Sequence, residues 1–312
     1  GFYGSRCPEA LQPKANSVSL FSPDGTPMSP DIVGITEGNI SSPQAIVPDA
    51  DGNIWIANSC NGTVTQYKTG NPSVNWNRPV NAAMCSRCVA PRPFAIAIDH
   101  DGNAWITDNG NYSVFQMDPQ GNFINGPICG SDTGIYLPMG ITIDSLGNIW
   151  VANSGIVNVP CPQDGLGVPD YGSLIPDPMH ASVTQLNPDG SLAGVHKGDG
   201  IYIPWGIAVD GDDHIWVANF GGQRVSKLCG ANPETCPPGM NPGDPISPEN
   251  GYQFDGLVRN TGVSIDPSGN VWLANNWLPI PIQTNPGGDG VVVFIGLAAP
   301  VKTPLIGPVE KP

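Results

Sequence analysis

Charge is scarce in this chain: Asp, Glu, Lys and Arg make up 12% of its 312 residues, against roughly 25% in ordinary globular proteins. Basic residues are scarcest, 12 Lys and Arg against 27 Asp and Glu, leaving a net charge of -15. Such a surface repels phosphate backbones and anionic headgroups, which excludes nucleic acid as a partner. No apolar run approaches the roughly 18 residues of a spanning helix, so membrane insertion is not expected. From Gly1 onward there is no basic and apolar leader, and the chain reads as soluble and already processed. Glycine (40) and proline (35) are abundant instead, which excludes a coiled coil or a helical bundle.

Histidine occurs four times and cysteine eight times. The cysteines Cys7, Cys60, Cys85, Cys88, Cys129, Cys161, Cys229 and Cys236 are even in number and lie in Pro/Gly-rich stretches. They read as disulfides, and so as a secreted, periplasmic or cell-surface protein. Cys229 and Cys236 bracket a short loop and form the best local pair. Cys85-Ser-Arg-Cys88 has redox-motif spacing without a βαβ context and reads as structural; the remaining connectivity stays open.

What the chain has in quantity is a repeat. SPQAIVPDADGNIWIAN (42–58), RPFAIAIDHDGNAWITDN (92–109), LPMGITIDSLGNIWVAN (137–153), IPWGIAVDGDDHIWVAN (203–219) and RNTGVSIDPSGNVWLAN (259–275) share one pattern. Apolar residues alternate, Asp-x-x-Gly-Asn supplies a tight turn, and alternation resumes, which predicts a β-hairpin each time. A second unit follows each: TVTQYKTGN, SVFQMDPQGN, SVTQLNPDGS, RVSKLCGAN and VVVFIGLAAP, with a sixth copy, SVSLFSPDGT, at 17–26. The tryptophans Trp55, Trp105, Trp150, Trp216 and Trp272 recur every 45 to 66 residues, the period of four-stranded propeller blades. The expected fold is an all-β propeller of five to six four-stranded blades over residues 15–300. A 14-residue N-terminal extension precedes it and a Pro-rich tail, 301–312, follows.

The run G-I-A-x-D-x-x-G-N-x-W-V-A-N with S-V-T-x-L-x-P-D-G resembles the NHL-type propellers, in particular the branch around streptogramin B lyase. The resemblance spans nearly the whole chain and implies the fold; it includes lyases, lactonases and interaction platforms. That lyase family implies a histidine base in a closely spaced pair with a metal, and here His100, His180, His196 and His214 contain no H-x-H. Only His180 falls on the loop-rich face, as a weak candidate base. Lactonase-type propellers imply a calcium site at the channel; Asn58, Asp108, Asn153, Asn219 and Asn275 stand at second-strand ends, but their regularity reads as a strand terminator bonding the loop that follows. Asp49-x-Asp51-Gly-Asn53 and Asp99-x-Asp101-Gly-Asn103 lack the closing Glu of a calcium loop and read as turns. No cofactor is expected, a divalent cation being the one alternative. The sequons at Asn39, Asn61 and Asn111 read as chance triplets in a bacterial-style repeat.

Five first units and six second units leave the N-terminal half-blade without an inner hairpin. Residues 1–14 have no alternation to supply one, so either the ring has five full blades plus an extra half, or a sixth blade is completed by a partner chain or by sequence upstream of Gly1. The insertions 155–180, 276–289, 70–91 and 230–257 are all expected on one face, carrying Trp76, Tyr171 and Trp277 with Trp205 nearby; these and Asp108 are the candidate binding surface. The tail is expected to wrap the outer edge or reach a neighbouring subunit. The expected function is a secreted, non-enzymatic propeller that binds a protein partner or self-assembles. The alternative is a metal-dependent lyase or lactonase.

Overall fold

The computed structural model describes residues 16–31, 33–80, 85, 90–159, 161, 179–198, 200–275 and 290–312. Cys7, Cys88, Tyr171 and Trp277 lie outside them. Five antiparallel sheets follow one another along the chain. Blade 1 contains β1 (Pro43–Pro48), β2 (Ile54–Asn58), β3 (Thr63–Tyr67) and β4 (Asn75–Pro79). Blade 2 contains β5 (Pro93–Ile98), β6 (Ala104–Asp108), β7 (Ser113–Met117) and β8 (Phe123–Ile128). Blade 3 is β9 (Pro138–Ile143), β10 (Ile149–Asn153), β11 (Ser182–Leu186) and β12 (Leu192–His196). Blade 4 is β13 (Pro204–Val209), β14 (Ile215–Asn219), β15 (Arg224–Leu228) and the two-residue β16 (Tyr252–Gln253). Blade 5 has β17 (Asn260–Ile265), β18 (Val271–Asn275) and β19 (Gly290–Phe294).

The five Asp-x-x-Gly/Asp-Asn/His turns do more than reverse the chain. In each, one carboxylate oxygen accepts backbone N–H groups two and four residues on. The other accepts the indole N–H of the Trp six residues on, at 2.9–3.1 Å, in Asp49–Trp55, Asp99–Trp105, Asp144–Trp150, Asp210–Trp216 and Asp266–Trp272. Gly52, Gly102, Gly147 and Gly269 take the left-handed position that these turns require. The carboxylate therefore fixes the turn and the indole together, and the indole packs on the next blade. Trp55 meets Ile96 and Ile98, Trp105 meets Ile141 and Ile143, and Trp150 and Trp216 share one cluster with Ile207, Val209 and Ile265. An indole buries roughly 150–250 Å², about 4–6 kcal/mol at ~25 cal/mol/Å². Close approach between blades also needs small residues: a Cβ on Gly140 or Gly206 would lie 2.6 Å from a carbonyl oxygen of the following blade.

Inner strands pack in sequence, β1 on β5, β5 on β9, β9 on β13 and β13 on β17, while β17 and β1 make no comparable contact. Among the described residues the ring is open between blades 5 and 1. The sixth second unit is present as an outer hairpin, with Val18 bridged to Ile35, Phe21 to Pro27, and a Ser22–Thr26 turn. It packs on blade 1 through Val18 and Ile35 against Ile40, Ile54, Ile56 and Tyr67. The inner hairpin missing from the strand count is thus missing from the described fold.

Three expectations need correction. The insertion 230–257 is expected on the loop-rich face, but residues 229–251 join third strand to fourth and lie with the short turns, where His214 Nε2 meets the Thr235 carbonyl at 2.9 Å. The fourth strand forms only at Tyr252–Gln253, so residues 230–251 of the insertion precede it. VVVFIGLAAP is one strand and not a hairpin, because Pro300 and its successors cannot return a paired edge. The tail neither wraps the outer edge nor leaves the molecule: Gly211 N–H donates to Ala299 O and Val301 N–H to Asp266 O, which carries it across the turn face. Val301 and Val309 are buried, and with Thr303, Leu305 and Gly307 they close one end of a cavity of about 250 Å³ lined by the inner strands.

If the Asp–Trp bond organises the repeat, Asp144→Ala strands a buried indole N–H and costs about 2–4 kcal/mol in urea unfolding. Asp266→Ala, whose Trp272 is exposed, costs under ~1 kcal/mol. Equal losses at the two sites sink this account.

Candidate functional site

The face opposite the turns carries the second-to-third loops and the crossovers between blades. Two disulfides brace it: Cys60–Cys161 joins the β2–β3 loop to the β10–β11 loop across 101 residues, and Cys85–Cys129 joins successive crossovers. Cys85 thus pairs at long range and not with Cys88, while Cys229–Cys236 forms as the local spacing predicts. Residues 154–159 are also pinned to blade 2. Asn109 Nδ2 donates to Pro138 O and Val157 O, its Oδ1 accepts Val159 N–H, and Arg92 donates to Asn158 Oδ1 and Val159 O.

The second-strand terminators have a different task from the one their sequence suggested. Asn58, Asn153, Asn219 and Asn275 accept backbone N–H groups of Ser41, Tyr136, Tyr202 and Val258, each 17 residues earlier, in the crossover before the blade. They dock crossovers onto blades, and their amide N–H groups donate to hydroxyls or carbonyls beside them. Asp108 holds the same position. Its Oδ1 accepts from Arg92, Gly110 and Asn111 N–H and its Oδ2 from Asn111 Nδ2 at 2.6 Å. Burial drives its pKa up, partly offset by those bonds, to about 6.

Above this loop a cavity of about 690 Å³ opens between blades 2 and 3. Its aromatic side is a row in which Tyr112 lies 4.8 Å from Tyr136 and Tyr136 stacks on His180 at 4.3 Å. Asp132 and Lys197 add opposite charges, the Lys197 ammonium donating to Met179 O at 2.7 Å. Asn111 also lines it, and among the described residues its buried Oδ1 has no hydrogen-bond partner. An aromatic platform beside both signs of charge can hold a polar chain with planar or sugar-like faces.

Among the described members of the expected binding surface and the candidate base, the structure brings His180 to this cavity, beside the Cys85–Cys129 disulfide, and places Asp108 beneath its floor. Trp76 is not on a loop: it lies within outer strand β4, edge-on to Trp55 at 5.2 Å, because Asn75–Pro79 pairs along β3. Trp205 is buried between Phe94 and Phe220 and touches no open surface. Tyr112, Tyr136, Asp132 and Lys197 were missed, since five separate loops supply the cavity. Placing Tyr136 17 residues before Asn153 would have marked its crossover.

The histidines do not converge. His100 and His214 sit on the turn face, His100 against Ser145 O and His214 beside Asp210, and His196 stacks on Trp150 with its pKa lowered by burial. Burial would raise Asp210, but His214, Lys227 and Trp216 outweigh it and hold its pKa down to about 2. The Asn/Asp terminators are engaged with crossover backbone, so their donor set does not fit a calcium ion. Among the described residues no three His, Cys, Asp or Glu side chains gather around one point.

The five sheets and their central cavity define a β-propeller. Residues 202–228 match the NHL repeat. Virginiamycin B lyase from Staphylococcus aureus is similar in fold, with a TM-score of 0.55 and 14% identity over 85% of this chain and 73% of that one. A gluconolactonase from Xanthomonas campestris gives 0.51 and 17% over 84% and 73%. A functionally unknown protein from Desulfotomaculum acetoxidans gives 0.56 and 14% over 98% of both chains. No curated protein matches.

Asp108 gives a signed pH test. The folded chain keeps a proton on Asp108 between about pH 4 and 6 that the unfolded chain releases, so stability falls as pH rises through that window. Asp108→Asn, with the Asn111 amide turned to present Oδ1, removes that slope and stabilises the protein at pH 7 by up to ~3 kcal/mol. Urea titrations from pH 4 to 7 measure both; a wild-type slope kept in the variant refutes the assignment. Separately, non-reducing peptide mapping is expected to recover Cys60–Cys161, Cys85–Cys129 and Cys229–Cys236.

Proposed function

We propose that this protein is a secreted, non-enzymatic propeller that binds a protein partner through the braced loop face and assembles through its open ring. The observation that carries the first half is the cavity beside Tyr112, Tyr136 and His180, on loops tied down by two inter-blade disulfides. Loops held this firmly present a surface with little ordering left to do on binding. The disulfides also favour an oxidising compartment outside the cytoplasm. The inner strands line the channel with Ile, Val and Ala, and the four histidines are dispersed, which leaves lyase or lactonase chemistry without an evident acid–base pair.

A photo-crosslinking residue at Ser131 on the loop face, compared with one at Gln120 on the turn face, tests this in the native secretory environment. A defined adduct is expected at Ser131 and lost on Lys197→Glu with Tyr136→Ala, while Gln120 gives none. Chelator-sensitive turnover of lactones or cyclic depsipeptides by the purified protein would overturn the reading in favour of a metal-dependent enzyme.

A further inference from the structure

The gap between blades 5 and 1 has the character of an interface cut in half. On blade 1, Ile46 is 53% exposed, whereas Ile96, Ile141 and Ile207 at the same repeat position are buried. On blade 5, Trp272 is 43% and Val291 62% exposed, against at most 1% for the other four repeat tryptophans and 0% for Val64, Val114, Val183 and Val225. Phe21 of the outer hairpin is 57% exposed where Tyr67, Met117, Leu186 and Leu228 are buried. Isolated exposed apolar residues are ordinary, but four converging on one slot are not. Along the slot, the backbone of Ser19 and Phe21 has no partner on its inner side among the described residues, while Val18 and Leu20 bond outward to Ile35, Met28 and Ser29. That is an unpaired strand edge.

We propose that this slot, as the described residues leave it, accepts a β-hairpin of the same repeat supplied in trans; this rests on reading the chain as one that acts by association. The ring prescribes the occupant's chemistry. Its second strand pairs with Ser17–Phe21 in the register β14 uses with β15. Its tryptophan covers Ile46 and Pro48, as Trp55 covers Ile96 and Ile98. Its branched aliphatic pair covers Trp272, as Ile207 and Val209 cover Trp150. A second copy of this chain is a poor donor, because its five inner hairpins are all built into its own blades. Strand addition of this kind takes affinity from backbone bonds and specificity from alternate side chains.

The probe is a synthetic peptide with the sequence of residues 203–219, IPWGIAVDGDDHIWVAN, added to the intact disulfide-bonded protein. Because a free hairpin must be ordered on binding, a 1:1 complex near ~10 µM by calorimetry is expected. Hydrogen exchange should slow at Ser19 and Phe21. Replacing both peptide tryptophans by Ala, or Ile46→Asp in the protein, should weaken binding at least about tenfold; circular dichroism of the variant should be unchanged, since Ile46 is already exposed. No heat and no new protection overturns the proposal. So does protection of Ser19 and Phe21 before peptide is added, which means that the chain fills its own slot, or an oligomer that Ile46→Asp dissociates, which means that a second copy does. Since the peptide is defined and the slot lies apart from Lys197 and Tyr136, failure here leaves the loop-face reading standing, and failure of the crosslink at Ser131 leaves this one standing.

Discussion

A single hydrogen bond, from a tryptophan indole to a turn aspartate six residues earlier, underlies the whole architecture. The carboxylate is acceptor-only and has two oxygens, so one can order the turn while the other anchors the ring. Asn in its place would present a donor on one side and break one of the two tasks. With the indole so fixed, its flat face becomes the surface on which the next blade is laid, and five local hairpins become a ring. The bond works where it is sheltered: around Trp150 it closes a dry contact, around Trp272 it stands in the open.

This explains which features the sequence made legible. Turn, alternation and tryptophan are encoded within 17 consecutive residues, so the hairpins, the propeller and the unpaired half-blade follow from pattern alone. Features that depend on distant residues did not. Whether 229–251 lies on one face or the other depends on a two-residue strand at Tyr252–Gln253 that has no periodicity to read. Cys60 and Cys161 meet because blades 1 and 3 bring two loops over blade 2. Trp76 looked like a loop aromatic because NWNRP does not alternate, yet β3 offers it an edge. The cavity takes residues from several separate loops, and none of them carries a motif.

The two faces divide the labour. Turns, tail and the Asp210–His214–Lys227 cluster sit together on one side, densely bonded and short except for the connection 229–251. On the other, Arg92 and Asn109 spend their donors and acceptors on holding loop backbone, and disulfides tie blade 1 to blade 3 and one crossover to the next. Disulfide bracing is concentrated on blades 1 to 3, while blade 4 is tied to blade 3 by apolar packing and by the backbone N–H and hydroxyl of Ser145 donating to the Asp213 carboxylate. Asp108 is the one ionisable member of an otherwise neutral set of crossover anchors, and it stands under the cavity.

The C-terminal tail changes what kind of vessel the propeller is. A ring of blades is normally a pipe, and solvent or a ligand can thread it from either end. With Val301 and Val309 seated against the inner strands and Lys311 reaching Asp212 at 2.7 Å, this one is stoppered at the turn side and becomes a cup. Among the described residues, access to its bore is closed at the turn side, and any molecule that enters it has to come from the loop side or through the seam.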